Sequence, residues 1–328
     1  MPFPRGIIAA AVGLDGADRR TTITGMKPLP LLAALLALAF VSCFHLTTIA
    51  QDQEPGDASP AAAQAAGGGA IPPGEAGAKA ALDKSPRHGE WVDITVPGSE
   101  TPLRSFVVYP ERRDKAPVVI VIQEIFGLTD WIRSVADQLA ADGFIAIAPD
   151  LLSGKASGGG GTAEAVKAGE DVRQLVRALK PEEVVTRLNA VRDYGGKLPA
   201  SNGKTATIGF CWGGAMSFHY ATAQPQLAAA VVYYGTSPSD ASSFERVNAP
   251  VLGLYGSDDA RVNATIPPAR EAMKRLNKAY DAHVYDGAGH GFLRQQDGRD
   301  GANLKAAKQA WPATVQFIRK HAGAGPKR

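Results

Sequence analysis

From Trp91 onward, short apolar runs of the chain alternate with longer segments of helical periodicity. The runs "WVDITV" and "LRSFVVYP" predict two antiparallel strands at one edge of a sheet. The runs "APVVIVIQE" and "FIAIAPD" are continuously apolar, which is typical of strands covered on both faces. Between them, "DWIRSVADQLAADG" carries apolar residues at helical spacing and ends on a glycine, so it predicts a helix.

The second half of the chain continues the alternation. Strands are predicted at "KTATIGF", "LAAAVVYYG", "APVLGLYG" and "AYDAHVYDG", and a last helix from about Asn303 to His321. This order predicts an α/β fold with a mostly parallel sheet of about seven or eight strands and helices on both faces. In such sheets ligands bind at the carboxyl ends of the strands, so candidate chemistry is expected there.

Residues 1–50 carry the features of a targeting segment. The apolar run Leu29 to Cys43 follows a lysine and is too short for a typical membrane span, which favours a signal peptide over a membrane anchor or core helix. Arg19-Arg20 resembles part of a twin-arginine export signal. Cleavage after Ala50 is the simpler expectation, and lipid attachment at Cys43 is the alternative. We therefore expect an exported protein, periplasmic or secreted, with no membrane span in the mature domain.

Residues 51–88 are rich in Ala, Gly, Pro and Gln and predict a disordered tether, because they offer little apolar surface to offset the entropy of ordering. The folded domain is predicted at residues 89–323. The chain has a net charge of +3, and its first 50 residues hold four basic and two acidic side chains, which leaves +1 for the rest. This balance gives no electrostatic reason to expect nucleic acid as a partner.

Cys211 is the one cysteine outside the targeting segment, so no internal disulfide is expected. It lies in "TIGFCWGG", after a predicted strand and before a predicted helix, as in a nucleophile elbow. Gly209 and Gly213 would give such a turn the room it needs. The helix N-terminus would favour the thiolate, and the N–H of Trp212 would be an oxyanion donor. The alternative is a buried structural cysteine.

Two further strand ends carry catalytic residue types. His290 stands between glycines in "YDGAGHGF", where it is poorly explained as a core residue and better explained as a general base. Asp259, in "VLGLYGSDDARV", would orient that histidine, with Asp258 as the competing candidate. The chain order of nucleophile, acid and histidine is the order of the α/β-hydrolases.

The motifs "GFCWGG", "QEIFG", "YGSDD" and "GHGFLR" resemble those of the dienelactone hydrolase family, over roughly Trp91 to His321. The resemblance implies an α/β-hydrolase fold and a Cys-His-Asp triad. It also implies that Glu124 adjoins the nucleophile, that the N–H of Ile125 is a second oxyanion donor, and that Arg294 binds a substrate carboxylate. The stretch after "PDLLSGKASGGGG" departs from the family's pattern, so no second carboxylate-binding arginine can be assigned.

These observations predict a hydrolase that opens a lactone or ester of the dienelactone type through a thioester acyl-enzyme. No metal or other cofactor is expected, the partner is a small-molecule ester or lactone, and the protein is expected to be a monomer. Three alternatives stay open: an exported carboxylesterase of broad specificity, a thiol-redox protein, and a non-catalytic binding module on a hydrolase scaffold. The redox alternative lacks a second cysteine near the first.

Overall fold

The computed structural model describes residues 70–323, and the predicted targeting segment and the start of the predicted tether lie outside them. Eight strands occur in this part of the chain: β1 Gly89–Ile94, β2 Leu103–Val108, β3 Ala116–Ile122, β4 Ile145–Pro149, β5 Ser201–Phe210, β6 Ala229–Tyr233, β7 Val251–Asp258 and β8 Tyr280–Gly289.

The helices between them vary in length from one turn to more than five. They are α1 Glu75–Asp83, α2 Asp130–Ala141, α3 Thr162–Lys167, α4 Val172–Ala178, α5 Pro181–Lys197, α6 Trp212–Ala223, α7 Ala260–Asn263, α8 Ile266–Arg275 and α9 Ala302–Ala322. Short 3-10 helices span Ala241–Arg246 and Arg299–Gly301.

All eight strands join one sheet in the order β1-β2-β4-β3-β5-β6-β7-β8. β1 pairs with β2, and β2 with β4, in antiparallel fashion, and every later pairing is parallel. The predicted antiparallel edge pair is therefore confirmed, as is the predicted mostly parallel α/β sheet.

Each face of the sheet carries its own hydrophobic layer, because successive side chains of a strand point to opposite faces. Along β3, Ile120 packs into one layer with α5, α6 and α8, while Val121 packs into the other with α2 and α9. β3, β4 and β6 are buried at every position, as expected for central strands covered on both sides.

The register of the parallel strands brings their carboxyl ends to the same edge. Ile122 at the end of β3 pairs with Gly209 of β5, and Phe210 pairs with Tyr233 at the end of β6. At the other side of the sheet, Asp258 of β7 pairs with Gly289 of β8. The residues that follow these strands therefore begin at the edge where ligands bind in such folds.

The structure corrects the predicted disordered tether. Residues 75–83 form α1, which packs against α2 and buries Ala78 to 1% exposure. The carbonyl of Pro73 also accepts a hydrogen bond of 3.1 Å from the indole N–H of Trp131. Alanine has the highest helix propensity, and its small side chain lets α1 approach α2 closely. The folded domain thus includes residues before the predicted start at residue 89.

Within residues 70–323, no helix combines the length and the apolar character that a membrane span requires.

Candidate active site

Cys211 occupies a sharp turn between β5 and α6. Its φ of 55° lies in the left-handed region that non-glycine residues seldom adopt. Two backbone hydrogen bonds hold the turn: Cys211 N–H donates to Tyr233 O at 3.1 Å, and Ala215 N–H donates to Cys211 O at 3.2 Å. Strain of this kind persists where neighbouring structure enforces it, and it is frequent at active sites.

The glycines beside Cys211 are required by close backbone contacts. A Cβ at Gly209 would collide with the carbonyl of Gly213, and a Cβ at Gly213 would collide with the backbone of Ile122 and Gln123. The start of α6 therefore lies directly against the end of β3. This contact brings the Cys211 turn to the segment that carries Glu124 and Ile125.

His290 follows β8 and contacts one carboxylate. Its Nδ1 lies 2.6 Å from Oδ2 of Asp259, and Asp259 itself is 9% exposed. Oδ1 of Asp259 accepts the N–H of Val262 at 3.5 Å as the N-cap of α7, which fixes the carboxylate. Asp258 instead forms an exposed ion pair with Arg299. Of the two candidate acids, Asp259 is therefore the one that contacts the histidine.

Glu124 is buried to 3% exposure directly after β3. Nε of Arg294 lies 2.8 Å from its Oε2, a close ion pair that lacks the alignment of a hydrogen bond. Burial raises the pKa of Glu124 to about 7, and Arg294 opposes that rise only in part. Glu124 therefore changes protonation near neutral pH, which is a frequent property of active-site carboxyl groups.

The thiol of Cys211 is held in its protonated form. Burial raises the pKa of Cys211, and the charge of Glu124 raises it further, while the N–H of Trp212 and the charges of Arg261 and Arg294 act in the opposite direction. The N–H of Trp212 at the helix N-terminus thus favours the thiolate, but burial and the charge of Glu124 outweigh it. Among the hydrogen bonds of residues 70–323, none joins the sulfur to His290.

The two expected oxyanion donors lie on adjoining segments. Trp212 is the first residue of α6, where backbone N–H groups have no acceptor within the helix. Ile125 follows Glu124 in a turn closed by the Gly127 N–H, which donates to Glu124 O at 3.3 Å. The proximity of α6 to the end of β3 makes both N–H groups candidates to bind one oxygen.

Two residues near the nucleophile were not singled out from the sequence. Tyr234 follows β6 with a φ of 40°, its hydroxyl is buried without a hydrogen-bond partner, and its ring lies 5.2 Å from that of His290. Arg261 extends from the exposed side of α7. The available signal for both was a polar side chain near the carboxyl end of a predicted strand. Residues 70–323 contain no cluster of His, Cys, Asp and Glu side chains that could hold a metal ion.

Comparison with known proteins relates this chain to one family of hydrolases. The model of the dienelactone hydrolase family matches residues 103–322. A Yersinia pestis protein provisionally named a carboxymethylenebutenolidase is 31% identical over 240 residues, covering 70% of this chain and 88% of the relative.

Solved structures show the same relationship. A protein provisionally named a dienelactone hydrolase from Klebsiella pneumoniae superposes with a TM-score of 0.62 at 29% identity, covering 71% of this chain and 99% of the other. A dienelactone hydrolase-like promiscuous phosphotriesterase from metagenomic libraries gives a TM-score of 0.58 at 26% identity, with coverage of 72% and 98%. The fold, the matched family model and these relatives together establish that the chain belongs to the dienelactone hydrolase family of hydrolases.

Proposed function

We propose that this protein hydrolyses a lactone or carboxylic ester of the dienelactone type through Cys211, His290 and Asp259. The contact of 2.6 Å between His290 Nδ1 and Asp259 Oδ2 is the observation that carries the proposal. It orients the imidazole at the edge of the sheet formed by the carboxyl ends of the parallel strands, where the strained Cys211 turn also lies. This is the relation between base and orienting acid that the triad mechanism requires.

Acylation begins with the transfer of the Cys211 thiol proton to His290 Nε2. A carboxylate only accepts hydrogen bonds, so Nδ1–H of His290 donates to Asp259 and Nε2 carries the free lone pair that acts as the base. The sulfur then attacks the carbonyl carbon, and the N–H groups of Trp212 and Ile125 stabilise the oxyanion. When the carbon–oxygen bond breaks, the imidazolium returns its proton to the leaving oxygen and a thioester remains.

Deacylation repeats these steps with water as the nucleophile. His290 Nε2 takes a proton from the water, whose oxygen attacks the thioester carbonyl. The tetrahedral intermediate collapses, the carboxylic acid leaves, and the proton on His290 restores the thiol. No group beyond these residues is needed for either half of the reaction.

Glu124 is proposed to assist in activating the thiol. Its pKa of about 7 allows it to take or return a proton near neutral pH, beside a thiol that is protonated at rest. When ionised, it also disfavours the thiolate by repulsion. Displacement or protonation of this carboxylate would therefore favour the nucleophilic form of Cys211.

The direct test is hydrolysis of dienelactone by the wild-type protein and by Cys211→Ala, followed as loss of the conjugated chromophore. We expect activity in the wild type only, and iodoacetamide should abolish it at one equivalent bound per chain. A broad carboxylesterase would instead turn over p-nitrophenyl acetate at least as fast as dienelactone. Absence of hydrolysis with both substrates would reject the proposal and favour a binding module.

We further propose that the enzyme is exported, periplasmic or secreted, and acts as a monomer. Its targeting segment, with lipid attachment at Cys43 as the alternative to cleavage after Ala50, supports export. Cell fractionation with mass spectrometry of the mature N-terminus tests location and processing. Light scattering on the purified protein tests the oligomeric state.

A further inference from the structure

The carboxylate of Glu75 contacts Arg294, the residue that the family resemblance implies would bind a substrate carboxylate. Nη1 of Arg294 forms an ion pair with Glu75, while Nε of the same guanidinium faces Glu124 at 2.8 Å. Glu75 lies on the solvent side with its side chain 55% exposed, and Glu124 lies on the buried side at 3%. Arg294 is thus held between two acidic groups from segments far apart in the chain.

The contact is built into the fold, because backbone hydrogen bonds fix the start of α1. Glu75 N–H donates to Arg294 O at 2.9 Å, and Gln296 Nε2 donates to Pro72 O at 2.8 Å. The indole of Trp131 donates to Pro73 O on the other side of the segment. The fold therefore holds the Glu75 carboxylate beside Arg294. A free carboxylate must compete with this intramolecular contact to bind the arginine.

The remaining surface of the arginine is covered. The ring of Phe126 lies 5.0 Å from the guanidinium carbon, and the Arg294 side chain is only 12% exposed. The charge of Arg294 is balanced by Glu75, and any ionised fraction of Glu124 adds a further negative charge. A substrate carboxylate brought to this point would meet like charges rather than a free cation.

We propose that Glu75 is a specificity-determining residue, which competes with a substrate carboxylate for Arg294 and so lowers the preference of the acyl site for anionic over uncharged esters or lactones. This inference rests on the proposed hydrolytic function and narrows its substrate class. It departs from the expectation that Arg294 holds a substrate carboxylate.

The test compares two esters that differ only in terminal charge: p-nitrophenyl valerate and the mono-p-nitrophenyl ester of glutaric acid. The measured quantity is the ratio of their kcat/KM values, because effects of Glu75 on the common chemistry cancel in that ratio. Glu75→Gln should raise the ratio in favour of the anionic ester by about fivefold, as expected when a competing ion pair of this exposure is removed. About 0.5 M KCl should reduce the gain by screening the new attraction.

Asp83→Asn is the matched control, because it removes the same charge from the same helix. Asp83 pairs with Lys79 on the exposed side of α1, and both side chains are mostly in solvent. It should change the ratio by less than about twofold. A ratio that responds equally to Glu75→Gln and Asp83→Asn, or to neither, would overturn the inference.

Binding separates this inference from the hydrolytic proposal. Monomethyl glutarate would be titrated calorimetrically into Cys211→Ala and into Cys211→Ala combined with Glu75→Gln. We expect tighter binding, by about fivefold, when Glu75 is replaced. If the wild type hydrolyses neither ester, the proposed function is rejected. The role of Glu75 is rejected separately, by equal affinity of the two variants for monomethyl glutarate.

Discussion

Replacing Glu124 by Gln should remove a specific pH dependence from the stability of the protein. Burial raises the pKa of this carboxyl from its ordinary 4.5 to about 7. The folded protein therefore holds the proton more tightly than the unfolded chain, so the stabilisation is complete below about pH 4.5 and declines as the pH rises toward about 7. A pKa difference of this size corresponds to about 3 kcal/mol across that window.

The assay is urea unfolding of wild type and Glu124→Gln at intervals from about pH 4 to about pH 8, where both proteins fold. The useful quantity is the difference between their free energies of unfolding, because most other titrating groups contribute equally to both. The wild type should lose about 3 kcal/mol relative to the variant over this range, with most of the loss between about pH 4.5 and pH 7.

Glu164→Gln is a control with the opposite sign. The N–H of Gly161 donates to Glu164 at 2.9 Å, and this hydrogen bond lowers the pKa of the exposed carboxyl. The stabilisation from ionised Glu164 is complete above the pKa that this carboxyl has in the unfolded chain, and it is lost as the pH falls. The wild type should therefore lose stability relative to this variant on acidification. A difference for Glu124→Gln that stays flat between about pH 4.5 and pH 7 would refute the conclusion that desolvation dominates at that site.

Three further changes test the site from other directions. Asp259→Asn should lower kcat by about a thousandfold or more, because His290 loses the partner that fixes its tautomer. Asp258→Asn should leave kcat within about twofold of the wild type. Steady-state kinetics on one ester compares the two variants. Glu124→Gln should lower the pKa of the Cys211 thiol, which appears as a shift to lower pH in the rate of iodoacetamide alkylation, and an unchanged profile would contradict the repulsion described above. Gly209→Ala should destabilise the protein by about 3 kcal/mol or more in urea unfolding, because its Cβ meets backbone rather than a movable side chain.

The sequence predicted those features that depend on short-range patterns. Continuous apolar runs identified the buried strands, and their order was enough for the mostly parallel sheet. Cys211 and His290 could be selected because each follows a strand and is flanked by glycines, a combination that few structural residues show. The choice between Asp258 and Asp259 needed coordinates, because adjacent side chains point in different directions after a strand.

The pKa of the Cys211 thiol could not be predicted from the same pattern. The helix N-terminus at Cys211 is a local feature that favours the thiolate, and the sequence displays it. Burial and the charge of Glu124 oppose it, and both depend on how β3 and α6 pack. The sign of the net shift is set by the desolvation that the whole fold imposes, which no single motif encodes.

Glu75 shows the limit of motif-based prediction most clearly. Its surroundings in the sequence are alanine and glycine, and it contacts Arg294 across 219 positions of the chain. The motifs that resemble the family identify Arg294 and suggest a role for it. They contain no information on α1, which precedes the first strand. Arg294 has the position expected of a carboxylate-binding residue, whereas its charge is already balanced by this chain's own helix. The chemistry of a matched residue therefore depends on the contacts it makes in its own fold, and the ion pair with Glu75 is the contact proposed to weaken carboxylate binding at Arg294.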